Sequence, residues 1–324
     1  MSYFASQPVY PIDSFSTGGT SDYRTGQSPS ASDAIVARYD LDQLPLSEVE
    51  LLHDPNRGIL WQYMRPSGRP SFTPGLLRDM TAVLDGVERA FAGAGAAAWT
   101  GLDFLVLASR MSGIFNLGGD LPHFMELIER GDREKLSWYA RVCAKGQFRR
   151  AIGLNLPICT IALVQGDALG GGFEAALAHD VIIAERSASF GLPEVLFNLF
   201  PGMGAYSFLA RRLDPIRAER MILGGRVYSA IELHEMGVVD RLADDGDGVD
   251  VVHDYVREFN RAPDARRALL KARRIVNPVS LRELIEIADL WVEAALRLQV
   301  SDLRRMRHLA KAQDRRWGKI SQGR

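Results

Sequence analysis

Two carboxylates, Glu174 and Glu194, are the residues of this chain best suited by type and context to do chemistry. Glu174 ends the run Gln165-Gly166-Asp167-Ala168-Leu169-Gly170-Gly171-Gly172-Phe173-Glu174, and Glu194, twenty residues on, ends Phe190-Gly191-Leu192-Pro193-Glu194. A glycine-rich turn precedes each. Glycine has no Cβ and tolerates positive φ, so such turns let backbone N–H groups approach a ligand closely. Backbone donors beside two carboxylates suit proton transfer next to a carbonyl. The donors stabilise charge growing on oxygen while one acid gives a proton and the other takes one. An enzyme is the leading expectation.

Other constellations are weaker. The glycine turns have neither a GK[ST] ending nor a GxGxxG pattern, so they do not read as nucleotide loops. His179-Asp180 would suit a hydrolase triad, but no Gly-x-Ser-x-Gly elbow exists, and His179 reads as a helix-end or core histidine. Cys143 and Cys159 form no CxxC pair and no His-rich cluster accompanies them; they read as buried small residues, with no disulfide framework and no metal site. The glutamates also have ordinary readings. Glu174 could complement the dipole at a helix start, and Glu194 could be a loop carboxylate paired with an arginine. Gly202 reads as a glycine that merely permits a tight turn.

The elements that must hold these residues can be read from apolar runs. Gly58–Met64, Phe104–Ala108, Ile158–Val164 and Val181–Ala184 have the length and character of buried strands. Between the first two, Thr73-Pro74 supplies an N-cap and a first-turn proline to a helix carrying Leu76, Leu77, Met80, Val83, Leu84, Val87 and Phe91 on one face. A helix is expected over roughly 133–153, and a short one holds Glu174. Strands alternating with helices indicate an α/β fold with parallel pairing. From about residue 249 strand signals stop. Ser280 and Glu283 make a capping box for a long helix whose apolar stripe, Leu281, Leu284, Ala288, Trp291, Ala295 and Leu298, must bury against something. Segment 301–324 carries eight Lys and Arg against two Asp, either a solvated face or a dock for an acidic carrier protein or the phosphates of a thioester arm.

The chain has 324 residues, 47% of them hydrophobic and 24% charged, with a net charge of −1. Nothing in that balance points to nucleic acid or a membrane surface. No apolar run approaches bilayer-spanning length, and the N-terminus lacks a basic region followed by an apolar core; a cytoplasmic location is the expectation. Residues 1 to about 33, rich in Ser, Thr, Gly and Pro, read as a disordered or loosely attached extension. The expected organisation is an N-terminal extension over 1–45, a core over 46–248 and a helical region over 249–324.

Four ordered turns carry a family resemblance. Leu117-Gly118-Gly119-Asp120 resembles the A-G-A-D turn of the enoyl-CoA hydratase (crotonase) superfamily, and Gly170-Gly171-Gly172-Phe173-Glu174 its G-G-G-x-E turn. Gly191-Leu192-Pro193-Glu194 and Pro201-Gly202-Met203-Gly204 follow in the family's order. Within the superfamily, Phe115 to Leu121, Val164 to Leu177 and Leu192 to Tyr206 resemble the bacterial diffusible signal factor synthases, which make cis-2-unsaturated fatty acid signals. The resemblance implies a ββα spiral core with a C-terminal helical oligomerisation region and a homotrimer, an arrangement the apolar stripe of 281–298 would suit. It implies the Gly119 and Gly171 N–H groups as an oxyanion hole, and Glu174 and Glu194 as the acid–base pair. The implied substrate is a medium-chain 3-hydroxyacyl thioester on acyl carrier protein or CoA, with no other cofactor. Dehydration to the cis-2-enoyl form and hydrolysis to free acid would follow. An ordinary enoyl-CoA hydratase of fatty acid metabolism would use the same two glutamates. A regulatory protein that binds the receiver domain of a sensor kinase is the reading from a different class.

Overall fold

Every residue of Ile59–Met64 is buried, the signature of a strand covered on both faces. The computed structural model describes residues 41–94 and 101–322. The extension expected over residues 1–45 falls outside them as far as residue 40. The chain enters as strand β1 (Val49–Asp54), which pairs antiparallel with β2 (Ile59–Met64). Helix α1 (Pro74–Ala94) follows, capped as its sequence predicts: the Thr73 hydroxyl accepts from the Leu76 amide at 3.0 Å.

Three turns of a spiral come next, each with one strand in a large sheet and a short one in a second sheet. The first is β3 (Phe104–Ser109), β4 (Gly113–Asn116), α2 (Leu121–Glu129) and α3 (Arg133–Ala151). The second is β5 (Cys159–Val164), β6 (Gly166–Leu169) and the short α4 (Gly171–Leu177). The third is β7 (Val181–Glu185) and β8 (Ser189–Gly191), then a 3-10 turn over Pro193–Phe197, α5 (Ala205–Arg212) and α6 (Pro215–Gly224). Strand β9 (Val227–Ser229), α7 (Ala230–Glu235) and β10 (Arg241–Ala243) close the core. Four helices end the described chain: α8 (Gly248–Phe259), α9 (Pro263–Val276), α10 (Leu281–Ala295) and α11 (Val300–Gln322).

The large sheet runs β1-β2-β3-β5-β7-β10, parallel from β2 onward, and the small one runs β4-β6-β8-β9. This is the α/β spiral the sequence led us to expect, with one correction. The buried strand read over Ile158–Val164, whose place in the sequence would carry it into the triple glycine, does not run straight into it. The chain breaks at Gln165 and crosses to the second sheet as β6, so Gly170 lies at the end of β6 beside β4 and β8. No helix among the described residues is long and apolar enough to cross a membrane.

The C-terminal expectations need two further corrections. Ser280 caps α10 by accepting from the Glu283 amide at 3.1 Å, but no reciprocal bond from the Glu283 carboxylate completes a box; Arg211 holds that carboxylate with two 2.8 Å bonds instead. The helix also stops at Ala295 and restarts as α11. Its stripe of Leu284, Ala288, Trp291 and Ala295 is buried within this same chain against α3. Arg141–Asp289 and Arg133–Glu293 ion pairs lie along that seam. The stripe therefore does not require a second protomer.

Candidate active site

Two backbone turns touch at the centre of the molecule. Gly118, at φ +92°, lies so close to the triple glycine that a Cβ there would sit 2.7 Å from the Leu169 carbonyl and 3.0 Å from the Gly171 nitrogen. Gly170 supplies the second positive φ, +51°. Side chains and carbonyls pin the first turn from three directions. Buried Asn116 accepts the Gly118 N–H at 2.8 Å, Pro70 accepts that of Leu117 at 2.8 Å, and the Phe72 amide donates to Gly118 O at 2.8 Å. Phe72 is itself tied down, since the Tyr139 hydroxyl donates to its carbonyl at 2.5 Å. Gly119 and Gly171 both face a cavity of about 500 Å³. Gly171 opens α4, where an N–H has no intrahelical acceptor, and no backbone acceptor is found for the Gly119 N–H among the described residues. Two unclaimed donors thus look into one cavity.

Glu174 and Glu194 line the same cavity. Glu174 is 1% exposed and sits in the first turn of α4. It does more than complement its own helix: the Met203 and Ala205 amides, from the turn after Pro201-Gly202, donate to its Oε1 at 2.8 and 3.0 Å. Burial pushes its carboxyl above the usual range, and those two donors act against the shift. Glu194 lies on the 3-10 turn after β8, half-buried, with Oε1 against Gly170 and a buried Oε2 that has no hydrogen-bond partner. No arginine pairs with it among the described residues. Burial raises its carboxyl too, and the charge of Glu174 raises it further. Two carboxyls that disfavour simultaneous ionisation, one held by two amides and the other with an unpartnered Oε2, have unequal proton affinities, as an acid–base pair needs.

The rest of the wall is mainly apolar and comes from three helices and the loop after β8. Phe72, Leu121, Phe124, Phe197, Leu199 and Met203 are joined by Tyr139, Cys143 and Gln147 of α3 and Trp291 of α10. A cavity of this character suits an acyl chain, with few polar groups to fix its reactive end.

With that geometry in view, comparison with known proteins decides the family. The sequence model of the enoyl-CoA hydratase/isomerase family matches residues 62–292, well over half of the chain. The chain belongs to the enoyl-CoA hydratase/isomerase family. It is 33% identical over 181 residues to carnitinyl-CoA dehydratase of Salmonella arizonae, a match spanning 51% of this chain and 69% of that protein. It is 36% identical over 140 residues to the fatty acid oxidation complex α subunit of Idiomarina loihiensis, spanning 43% of this chain but only 19% of that longer protein. Human mitochondrial delta3-delta2-enoyl-CoA isomerase shares the fold, with a TM-score of 0.67 at 16% identity over 83% of this chain and 99% of that one.

Within this hydratase/isomerase fold, all four residues singled out from the sequence come to one cavity. One other expectation also holds. His179 is a core histidine: it is buried with Nδ1 2.7 Å from the Ala175 carbonyl, burial pushes its pKa down to about 3, which keeps it neutral, and it does not line this cavity. Asp180 is engaged by Arg273 and Arg274. Two expectations need extending. Gly202 lies in a turn, as read, but its missing side chain also makes room for Trp291, whose Cβ would lie 2.3 Å from an added methyl. The basic C-terminal segment is not simply a solvated face: α11 buries Leu303, Met306 and Ala310, and its Gln313 donates to the Leu117 carbonyl at 3.0 Å, one residue from the Gly118 turn. Asn116, Tyr139, Gln147 and Trp291 carried no sequence signal for the site. Asn116 sits in the quoted turn, but its inward aim depends on the second sheet.

Proposed function

We propose that this protein interconverts 3-hydroxyacyl and 2-enoyl thioesters, and that in its physiological direction it dehydrates a medium-chain 3-hydroxyacyl thioester and hydrolyses the product to a cis-2-unsaturated fatty acid of the diffusible signal factor type. One observation carries the first half: two carboxyls of unequal surroundings flank a single apolar cavity whose wall includes two unclaimed backbone donors. Family membership and the carnitinyl-CoA dehydratase relative support a CoA thioester as substrate. The sequence resemblance to signal synthases is what supports the second half.

In this reading the thioester carbonyl accepts from the Gly119 and Gly171 N–H groups. Glu174, whose Oε1 is held by two amides that favour its ionised form, takes the α-proton as charge moves onto that oxygen. Glu194, with its Oε2 unpartnered and facing a negative neighbour, keeps its proton and delivers it to the C3 hydroxyl, which leaves as water. Exchange with solvent returns each carboxyl to its starting state. For hydrolysis, an ionised glutamate takes a proton from water as the water attacks the same polarised carbonyl, and the thiol departs.

The test is mass spectrometry of the products from 3-hydroxydodecanoyl-acyl carrier protein and from the CoA ester, with E174Q and E194Q proteins alongside. We expect cis-2-dodecenoic acid from the wild type and none from either variant. A trans-2-enoyl thioester without free acid would instead make the protein an ordinary hydratase of fatty acid metabolism. No turnover of either ester, with biological effect retained in the double variant, would favour the regulatory binding role.

A further inference from the structure

A second cavity, of about 360 Å³, adjoins the first and shares Phe72, Cys143 and Gln147 with it. One face of α3 runs along both. Tyr139, Cys143 and Gln147 line the first, and Cys143, Gln147 and Arg150 line the second, at steps of three or four residues that place them on one side of a helix. From Tyr139 to Arg150 the helix rises about 16 Å, comparable to an extended acyl chain of roughly a dozen carbons. Leu77, Met80 and Leu84 of α1 make the opposite apolar wall.

Arg150, at the far end, is out of place in such a wall. It is 2% exposed. Its Nη2 donates to Gln62 Oε1 at 2.9 Å and its Nη1 reaches the Gly146 carbonyl at 3.4 Å, while Nε is buried with no acceptor. Gln62, also fully buried, has no partner for its Nε2. No carboxylate among the described residues pairs with Arg150, although the adjacent Arg149 is held by Asp85 and Glu88. Burial draws its pKa down to about 9, with the charge of Arg149 adding to the shift. A buried guanidinium with spare donors and no counter-charge is costly unless something supplies an anion.

We propose that the second cavity receives the distal end of the acyl chain and that Arg150 binds chains ending in a carboxylate, making thioesters of dicarboxylic acids of about a dozen carbons a further substrate class, bound more tightly than the methyl-ended chains of the reading above. This rests on the reading of Gly119 and Gly171 as the thioester's anchor and extends it to the other end of the substrate. Arg150 donates to the terminal carboxylate, and the α1 and α3 side chains enclose the methylenes between. A methyl-ended chain fills the same space but leaves the charge uncompensated.

Calorimetric titration of the full-length protein with analogues of dodecanoyl-CoA and of the mono-CoA ester of dodecanedioic acid, in which a methylene separates sulfur from the carbonyl, tests the idea, since neither ester analogue can be dehydrated or hydrolysed. The wild type should bind the carboxylate-ended ester about ten- to a hundredfold more tightly, the worth of a buried charge-assisted hydrogen bond. R150M should lose that preference through weaker binding of the dicarboxylic ester alone, and R150K should keep part of it. The wild-type preference decides the matter even if R150M folds poorly. Equal or tighter binding of the methyl-ended ester by the wild type, or an equal loss for both esters in a folded R150M, would overturn the proposal while leaving the anchor intact. Binding of neither ester would overturn it together with the thioester reading.

Discussion

At the scale of single residues, the site is destabilised by its own chemistry, and that has a measurable sign. Both catalytic carboxyls proposed here have folded-state pKa values raised above the ordinary carboxylate value. In the interval between the two values the folded protein holds a proton that the unfolded chain has lost. Stability therefore falls as pH climbs from about 4 through the raised folded values. E194Q removes a charge disfavoured by desolvation and by Glu174 without changing shape, so its melting temperature at about pH 8 should exceed that of the wild type by several degrees. At about pH 4, where both states hold the proton, the difference should vanish. A variant that melts lower at pH 8 would mean Glu194 is a stabilising residue. The oxyanion turn makes a second residue-scale prediction. A methyl on Gly119 would lie 2.4 Å from Cε2 of Phe124, so G119A must shift the turn or the ring. We expect kcat to fall about a hundredfold, the usual cost of misplacing a donor by an ångström, together with an overpacking loss of about 1–3 kcal/mol in stability. A fully active G119A would remove that amide from the mechanism.

At the scale of elements, α10 links the C-terminal region to the chemistry. Trp291 walls the cavity and rests on Gly202, the residue immediately before Met203, whose amide joins that of Ala205 in donating to Glu174. G202A should therefore act twice. Overpacking against Trp291 should cost about 1–3 kcal/mol of stability, read by urea unfolding, and the displaced Met203 amide should lower kcat. If stability drops while kcat stays unchanged, α10 is packing only. The four inner strands of the large sheet, β2, β3, β5 and β7, and the stripe of α10 were legible because each is a run or period of apolar residues; the edge strands β1 and β10 were not. The small sheet was not. Its strands are three or four residues long, and Gly166-Asp167-Ala168-Leu169 has no apolar alternation; it is a strand because β4 and β8 flank it. For the same reason Asn116 could be quoted within a turn but not aimed. Helix α3 hid its part differently: the face it turns inward includes Gln147 and Arg150, so it does not read as an apolar stripe.

At the scale of the whole molecule, the surface that associates is a separate question from the one that closes the site. The stripe of α10 is used up inside the chain. Helix α9 has no buried residue and exposes Leu269, Ile275 and Val276 at 70%, 78% and 74%. A homotrimer assembled on that face is the expected solution state, and light scattering should report three times the chain mass for the wild type. Replacing those three residues with serine should give monomers. A monomeric wild type would contradict it. The central claim, that Glu174 and Glu194 work as one acid–base unit on a thioester held by two glycine amides, is tested most directly by initial rates. The comparison is hydration of 2-dodecenoyl-CoA by wild type, E174Q, E194Q and the double variant. We predict that each single change lowers kcat by about 10²–10⁴ with KM nearly unchanged, and that the double variant is scarcely slower than either. A single variant that keeps kcat within a few-fold of wild type would contradict the account.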